Sequence, residues 1–318
     1  MTTTMRAVRQ EVLGGPDVLR LVDVPKPEPG SSQLLVRVHA AGLNPTDWGH
    51  RAYPIFLGPP PFTLGWDVSG VVEATGFGVP LFTPGDEVFG MLPYPFGVGS
   101  HAEYVTGPAR GFARKPENVD HVQAGALPLA ALTAWQALND TARLRAGQRV
   151  LIHAAAGGVG HHAVQIAKAR GAYVIGTASA GHHDLLRGLG ADELIDYTET
   201  DFAAEVSDVD VVLNAIGDDY AARSLPTLRP GGVLVSLLPF PPEVYEQAGK
   251  LGVRAELMLV EHDHAGMTAI ADLVAGDKLR PVIAGIFPLA QAAKAHELGE
   301  TRHVAGKLVL TMADANGR

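Results

Sequence analysis

Ala155, Gly157 and Gly160 are the residues whose types and spacing most directly suggest chemistry. They fill the three slots of a G-x-G-x-x-G pattern, with alanine in the first. Glycine at the second slot lets backbone approach a pyrophosphate closely, and glycine at the third permits tight helix–strand packing. Such a pattern is only a glycine-rich turn unless a strand precedes it and a helix follows. Both are expected here. Val150-Leu-Ile-His153 begins as a short apolar run, and Val159, Ala163, Ile166 and Ala167 then recur at helical spacing. A second apolar run, Ala172-Tyr-Val-Ile-Gly-Thr177, follows. The N–H groups and positive dipole end of the intervening helix would hold phosphates, with Ala156, Gly157, Gly158 and Val159 as the cradle.

The residues after the second strand choose the cofactor. A carboxylate there binds a ribose 2′-hydroxyl. This chain reads Gly176-Thr-Ala-Ser-Ala-Gly-His-His183, with no acid before Asp184. Ser179 can donate to a 2′-phosphate, and His182 or His183 is a weaker, pH-dependent cation unless the loop is simply solvated. Later apolar runs, Val209–Gly217 and Gly232–Leu238, alternate with helical stretches and predict a doubly wound parallel sheet. Ligands bind beyond the carboxyl ends of such strands, which puts Asn214, Ile216, Leu237 and Phe240 on the rim.

The elements on either side read differently. From Met5 to about Val122 short strands alternate with Gly/Pro punctuation, as in Leu34-Leu-Val-Arg-Val-His-Ala40 and Val68-Ser-Gly-Val-Val72, and suggest a small β-barrel-like domain. Residues 123–140 are rich in alanine and leucine and predict a helix interrupted at Pro128. Past Gly276, strand-like runs at 281–288 and 306–311 flank a helical stretch and can rejoin the first domain. The expected division is 1–122 with 277–318, around an inserted 123–276.

Composition narrows the function classes. A net charge of −9, with no polybasic run, argues against a nucleic-acid binder. Without cysteine there are no disulfides, no thiolate nucleophile and no sulfur-ligated zinc. Met1–Arg6 lacks signal-peptide character and no apolar run reaches membrane-span length, so a cytoplasmic protein is expected.

Several motifs in order resemble the medium-chain dehydrogenase/reductase superfamily, in its zinc-free, quinone-oxidoreductase-like (zeta-crystallin-like) branch. They are Ala41-Gly-Leu-Asn-Pro-Thr-Asp47, Leu64-Gly-Trp-Asp-Val-Ser-Gly70, Pro84-Gly-Asp-Glu-Val88, Leu132-Thr-Ala-Trp-Gln-Ala137, Ala154–Gly160, Gly176–Ser179 and Gly306-Lys-Leu-Val-Leu310. The resemblance implies a Rossmann doubly wound parallel sheet inserted in a GroES-like β-barrel domain, a homodimer, and NADPH-dependent reduction of quinones or of the C=C bond of α,β-unsaturated carbonyls.

Zinc-dependent relatives place a cysteine after the first Ala-Gly and a Gly-His-Glu triplet further on. Here those places read Asn44 or Asp47, and Gly65-Trp66-Asp67. Zinc favours sulfur and nitrogen ligands, so no metal is expected, although His50, His101 and His153 remain as possible donors. By the same resemblance Asn44 contacts the nicotinamide ribose and donates to the substrate oxygen, unless it only forms a turn. Thr133 and Lys307 lie beside the nicotinamide, against plain readings as a helix hydroxyl and a solvated strand-edge charge. Tyr197 joins the 2′-phosphate pocket. Trp48, Trp66, Tyr94 and Phe240 are expected to line the substrate site, with Tyr53, His50 or solvent as proton donor. Two other readings share the cofactor loop, namely a low-turnover NADPH-binding sensor and an enoyl-thioester reductase.

Overall fold

Strands dominate the chain through Arg114 in the computed structural model, which describes residues 3–217 and 219–312. They are β1 (Thr4–Gln10), β2 (Arg20–Pro25), β3 (Gln33–Leu43), β4 (Phe62–Thr63), β5 (Asp67–Thr75), β6 (Glu87–Met91), β7 (Tyr104–Pro108) and β8 (Phe112–Arg114). Helix α1 (Pro45–Ala52) opens directly from the end of β3. The long β3 pairs antiparallel with both β5 and β7, and two register shifts against β5 bend it.

The alanine-rich stretch is broken rather than continuous. It makes α2 (His121–Gly125), α3 (Pro128–Trp135) and a π-type stretch from Gln136 to Thr141. Pro128 is the first residue of α3, where a missing N–H costs no helical bond. Asp120 ends the preceding loop by accepting the Gln123 N–H at 2.8 Å.

From there the chain alternates as its apolar runs predict. Strands β9 (Arg149–Ile152), β10 (Tyr173–Thr177), β11 (Glu193–Ile195), β12 (Val209–Asn214), β13 (Leu228–Ser236) and β14 (Arg254–Leu257) form one parallel sheet, in the order β11-β10-β9-β12-β13-β14. That is the doubly wound order of nucleotide-binding sheets. The connecting helices are α4 (Gly160–Ala169), α5 (His183–Gly188), α6 (Phe202–Glu205), α7 (Tyr220–Ser224) and α8 (Glu243–Leu251). Every residue of β12 is buried, as a central parallel strand covered on both faces requires. Leu151, Ile175, Phe202, Val212, Leu234 and Val244 pack in one core cluster.

The chain then returns through α9 (His264–Ala275), β15 (Ile283–Pro288), α10 (Ala292–Glu300) and β16 (Lys307–Thr311). β16 pairs antiparallel with β3, Leu310 opposite Ala41, and parallel with β15. The first unit therefore runs through Leu132 and resumes at Glu261, with 133–260 as the second. These changeovers differ from 122 and 277 because α9 belongs with the strands. His264 Nδ1 lies 2.7 Å from the Phe112 carbonyl, and Asn118 donates to the Val274 carbonyl at 2.8 Å. Among the described residues no helix is long and apolar enough to cross a membrane.

Histidines are unusually deep in both units. Burial pushes His39 down to about 4, and His101 and His153 down to about 3. His50, His121 and His296 shift the same way for the same reason. A group held neutral in the fold contributes stability that is present above its unfolded value near 6.5 and is lost as pH falls toward the folded one. Both units should therefore weaken as pH drops from about 6.5 to 4. Urea midpoints measured across that range test this, and an unchanged midpoint refutes it.

Candidate active site

The first unit's polar centre is built where β3 ends and α1 begins. Lys307, at the start of β16, is 2 % exposed, and its ammonium donates to the Leu43 carbonyl at 2.7 Å and to Asn44 Oδ1. It also lies 3.4 Å from Asp67 Oδ2, on a carboxylate with no exposure. Asp67 accepts two further hydrogens, from Asn44 Nδ2 at 3.0 Å and from the Leu129 N–H at 2.6 Å. The second is an early N–H of α3, one that no helical carbonyl can take. Burial pushes the Asp67 carboxyl up, and Lys307, Asn44 and the Leu129 N–H oppose that. Gly42 makes room, since a Cβ there would collide with the carboxylate.

Two consequences follow for Asn44. An ammonium can only donate and a carboxylate can only accept, so the amide cannot flip. One amide hydrogen is then left beyond the Asp67 bond. The Asn44 N–H meanwhile donates to Asp47 Oδ2 at 2.7 Å, closing the first turn of α1. Asp47 is wholly buried, and that burial pushes its carboxyl up to about 8, so it holds a proton at neutral pH. Its other oxygen lies 3.9 Å from His101 Nε2.

An aromatic stack climbs from this centre to the surface. Trp66, fully buried, lies 5.2 Å from the His50 ring and 5.4 Å from Tyr94. Phe56 packs at 5.6 Å on His50 and at 6.5 and 6.4 Å on Tyr94 and Phe96, and Phe96 is 73 % exposed. Thr46 ties the stack to α1, its hydroxyl donating to the Tyr94 hydroxyl at 3.2 Å.

In the second unit the glycine loop has the geometry a phosphate cradle needs. Ala154 adopts a left-handed φ of 49°, and its carbonyl accepts the Gly157 N–H at 2.8 Å. A Cβ on Gly160 would collide with that same carbonyl, so α4 can start this close to β9 only with glycine. Ala156, Gly157, Gly158 and Val159 line the turn. Behind it, His153 Nε2 lies 2.9 Å from Ser224 Oγ and Nδ1 3.3 Å from Thr177 Oγ1. Ser224 already donates to the Tyr220 carbonyl at 2.6 Å, so His153 carries its hydrogen on Nε2. At the carboxyl ends of β12 and β13, Asn214 donates to Ser236 Oγ at 3.2 Å and accepts the Ile216 N–H at 3.0 Å. The Leu237 N–H donates to the Asn214 carbonyl at 2.9 Å. Ser179 and His182 are half-buried in the turn after β10, and Tyr197, after β11, is 49 % exposed.

Some expected residues sit elsewhere. Lys307 is neither strand-edge nor solvated, because its ammonium is spent inside the unit. Trp66 backs the aromatic stack and has no surface to offer a ligand. Trp48 faces α10, against Gly299 and 6.2 Å from the His296 ring. Phe240 packs on the second unit's core and on Tyr245 at 4.9 Å. His50 is buried, with Nδ1 turned back to the Thr46 carbonyl at 2.8 Å, while Tyr53 at the end of α1 is 68 % exposed. Thr133 is buried in α3. Phe56 went unread in a Pro- and Gly-rich loop, Pro54-Ile-Phe-Leu-Gly-Pro-Pro-Pro61, whose apolar triplet was its one signal.

Comparison with known proteins gives a consistent family. A family model described as alcohol dehydrogenase GroES-like domain matches residues 30–117, and one described as zinc-binding dehydrogenase matches 189–310. The chain is 35 % identical to a 2-haloacrylate reductase from Burkholderia, over 93 % of this chain and 96 % of that one. To the rat quinone oxidoreductase it is 33 % identical over 96 % of each. The solved quinone oxidoreductase of Coxiella burnetii superposes with a TM-score of 0.92, at 40 % identity, covering 98 % of this chain and all of that one.

The Lys307–Asp67 pair sets a stability expectation. Removing one partner of a buried ion pair costs about 3–5 kcal/mol, because the other charge stays buried. Lys307→Met should lose about that much in urea unfolding. Lys307→Met with Asp67→Asn should recover more than half of the loss, since the asparagine is neutral and still accepts a hydrogen. A single variant as stable as the parent would contradict the pairing.

Proposed function

The chain belongs to the quinone-oxidoreductase-like branch of the medium-chain dehydrogenase/reductase superfamily, and we propose that it reduces quinones or conjugated C=C bonds with NADPH and without zinc. That it is an oxidoreductase of this type follows from the family. The observation that carries the finer reading is the buried ammonium of Lys307.

In zinc-dependent relatives the metal is held from the places that Asn44 or Asp47 and Gly65-Trp66-Asp67 occupy here. The donor set does not fit zinc, which favours sulfur and nitrogen ligands. Asp67 is already satisfied by Lys307, Asn44 and the Leu129 N–H, and Asp47 holds a proton at neutral pH. An ammonium bonded between these groups also repels a second cation.

The second unit does fit a dinucleotide. At Gly160 its loop leaves no room for a side chain, and the α4 N-terminus supplies N–H groups for phosphates. Ser179, His182 and Tyr197 would meet a 2′-phosphate, and Thr133, Asn214, Ile216 and Leu237 the nicotinamide end. When bound, the reduced nicotinamide supplies a hydride. Asn44 has one amide hydrogen uncommitted, and it would donate to the substrate oxygen on which charge develops. Lys307 acts by fixing that amide. The exposed rings of Phe56 and Phe96, with Tyr94 behind them, suit a planar apolar substrate. Burial pushes His50 down and its Nδ1 is turned inward to the Thr46 carbonyl, so solvent is the better source of the proton. Rate enhancement then comes mainly from holding the reactants in attack geometry.

A deuteride-labelled cofactor tests the chemistry. Label should appear on the β-carbon of a reduced enone, with the α-proton from solvent; label on the carbonyl carbon would show a ketone reductase. No transfer to any of a broad panel would favour a binding protein. Losing one such donor cost on the order of 10²–10³ in turnover in a well-studied hydrolase, and Asn44→Ala should fall in or below that range.

We propose that a homodimer forms through β14, an edge strand whose Leu257 and nearby Leu259 are 50 % and 53 % exposed. Leu257→Lys should raise the dissociation constant in sedimentation, and an unaffected or monomeric parent would exclude that interface.

A further inference from the structure

The phosphate cradle turns on one peptide, the unit that joins Gly157 to Gly158. With glycine on both sides and no Cβ to hinder it, that peptide can flip at little steric cost. One orientation offers a phosphate the Gly158 N–H. The other presents the Gly157 carbonyl, whose partial negative charge repels a phosphate. In a planar trans peptide the two groups point opposite ways, so fixing the carbonyl fixes the N–H.

The carbonyl is held twice by one residue. His161, in the first turn of α4, donates its backbone N–H to the Gly157 oxygen at 3.1 Å, and its ring Nδ1 lies 2.8 Å from the same oxygen. A carbonyl only accepts, so Nδ1 carries the hydrogen. The Gly157 N–H is itself taken by the Ala154 carbonyl at 2.8 Å. By contrast, the N–H groups of Gly158 and Val159 meet no backbone carbonyl among the described residues. The His161 ring has no exposure, and the equally buried His162 ring lies against it, with centroids 3.8 Å apart. Gln165 donates to the His161 carbonyl at 2.9 Å, one turn further along α4. With no exposed surface, the imidazole can act on a ligand only through the backbone it holds.

Resting on the dinucleotide reading above, we propose that His161 is a positioning residue for the cofactor's pyrophosphate. Its ring N–H locks the Gly157 carbonyl inward, and the Gly158 N–H is thereby turned outward to a phosphate oxygen before any ligand arrives. The backbone bond is one that a helix makes with any residue at 161. The ring bond is what this side chain adds. A donor fixed in advance costs no ordering on binding, so its loss appears as weaker binding of ligands that carry the pyrophosphate.

Calorimetric titration with NADPH, NADH and 2′-AMP reads this without any turnover. Both dinucleotides contain the pyrophosphate, so the comparison stands whichever one the protein prefers. 2′-AMP keeps the adenosine and the 2′-phosphate but offers nothing to the glycine loop. His161→Leu removes the ring donor at similar volume, and both dinucleotides should bind about three- to tenfold more weakly, the weight of one hydrogen bond. 2′-AMP should bind that variant as it binds the native protein. His161→Asn restores an N–H at the δ position and should recover most of the lost affinity. The role is overturned if His161→Leu binds the dinucleotides as tightly as the native protein, or loses 2′-AMP by the same factor. It is equally overturned if His161→Asn binds no better than His161→Leu. Should the native protein bind neither dinucleotide, the cofactor reading itself fails and the role of His161 goes with it.

Discussion

An ammonium and a carboxylate buried together impose the strictest condition on the first unit. Each loses several kcal/mol of hydration on leaving water, and their attraction offsets that loss only if the remaining hydrogens and lone pairs are also satisfied. Lys307 meets the condition with Leu43, Asn44 and Asp67, and Asp67 meets it with Lys307, Asn44 and Leu129. The end of β3, the starts of α1, β5 and α3, and the first residue of β16 are thereby fixed around one point. Because β16 comes from the far end of the chain, this centre needs residues from both sides of the second unit.

The second unit meets its main constraint with backbone rather than charge. A turn that leaves its N–H groups for phosphates must be held rigid by everything beneath it. Ala154 in a left-handed conformation, the glycine contact at Gly160, and His153 between Thr177 and Ser224 provide that support. Along the rim, Asn214 and Ser236 lock the ends of β12 and β13 to each other. Each of these polar groups is buried and bonded, which favours a single loop conformation over several.

Repeating signals in the sequence led to most of the fold. Apolar runs of four to nine residues predicted β3, β5, β9, β12, β13 and β16, because a strand's burial is a local pattern. The helix at 123–140 was legible only as composition. Where it broke depended on Pro128 and on Asp67 capturing the Leu129 N–H, and the second of these comes from another strand. Lys307 shows the same limit from the other side. A lysine at the head of Leu-Val-Leu reads as a strand-edge charge, and only the pairing of β16 with β3 reveals that it points into the unit. Trp66 and Trp48 were read from residue type alone, which does not distinguish a wall from its backing.

The same ion pair limits the chemistry under the proposed reading. A metal with an open position can take a full negative charge on one substrate oxygen. The ammonium here cannot, since its hydrogens go to Leu43, Asn44 and Asp67, and with Asp67 ionised the pair is neutral overall. What remains for a substrate is one amide hydrogen and an apolar aromatic wall. A single neutral donor stabilises a localised alkoxide less than the full charge of a metal ion does. Quinones and enones need less, because their conjugation spreads the arriving charge before the protein has to receive it. Replacing the metal's charge with an internal one therefore favours substrates that carry their own electron sink.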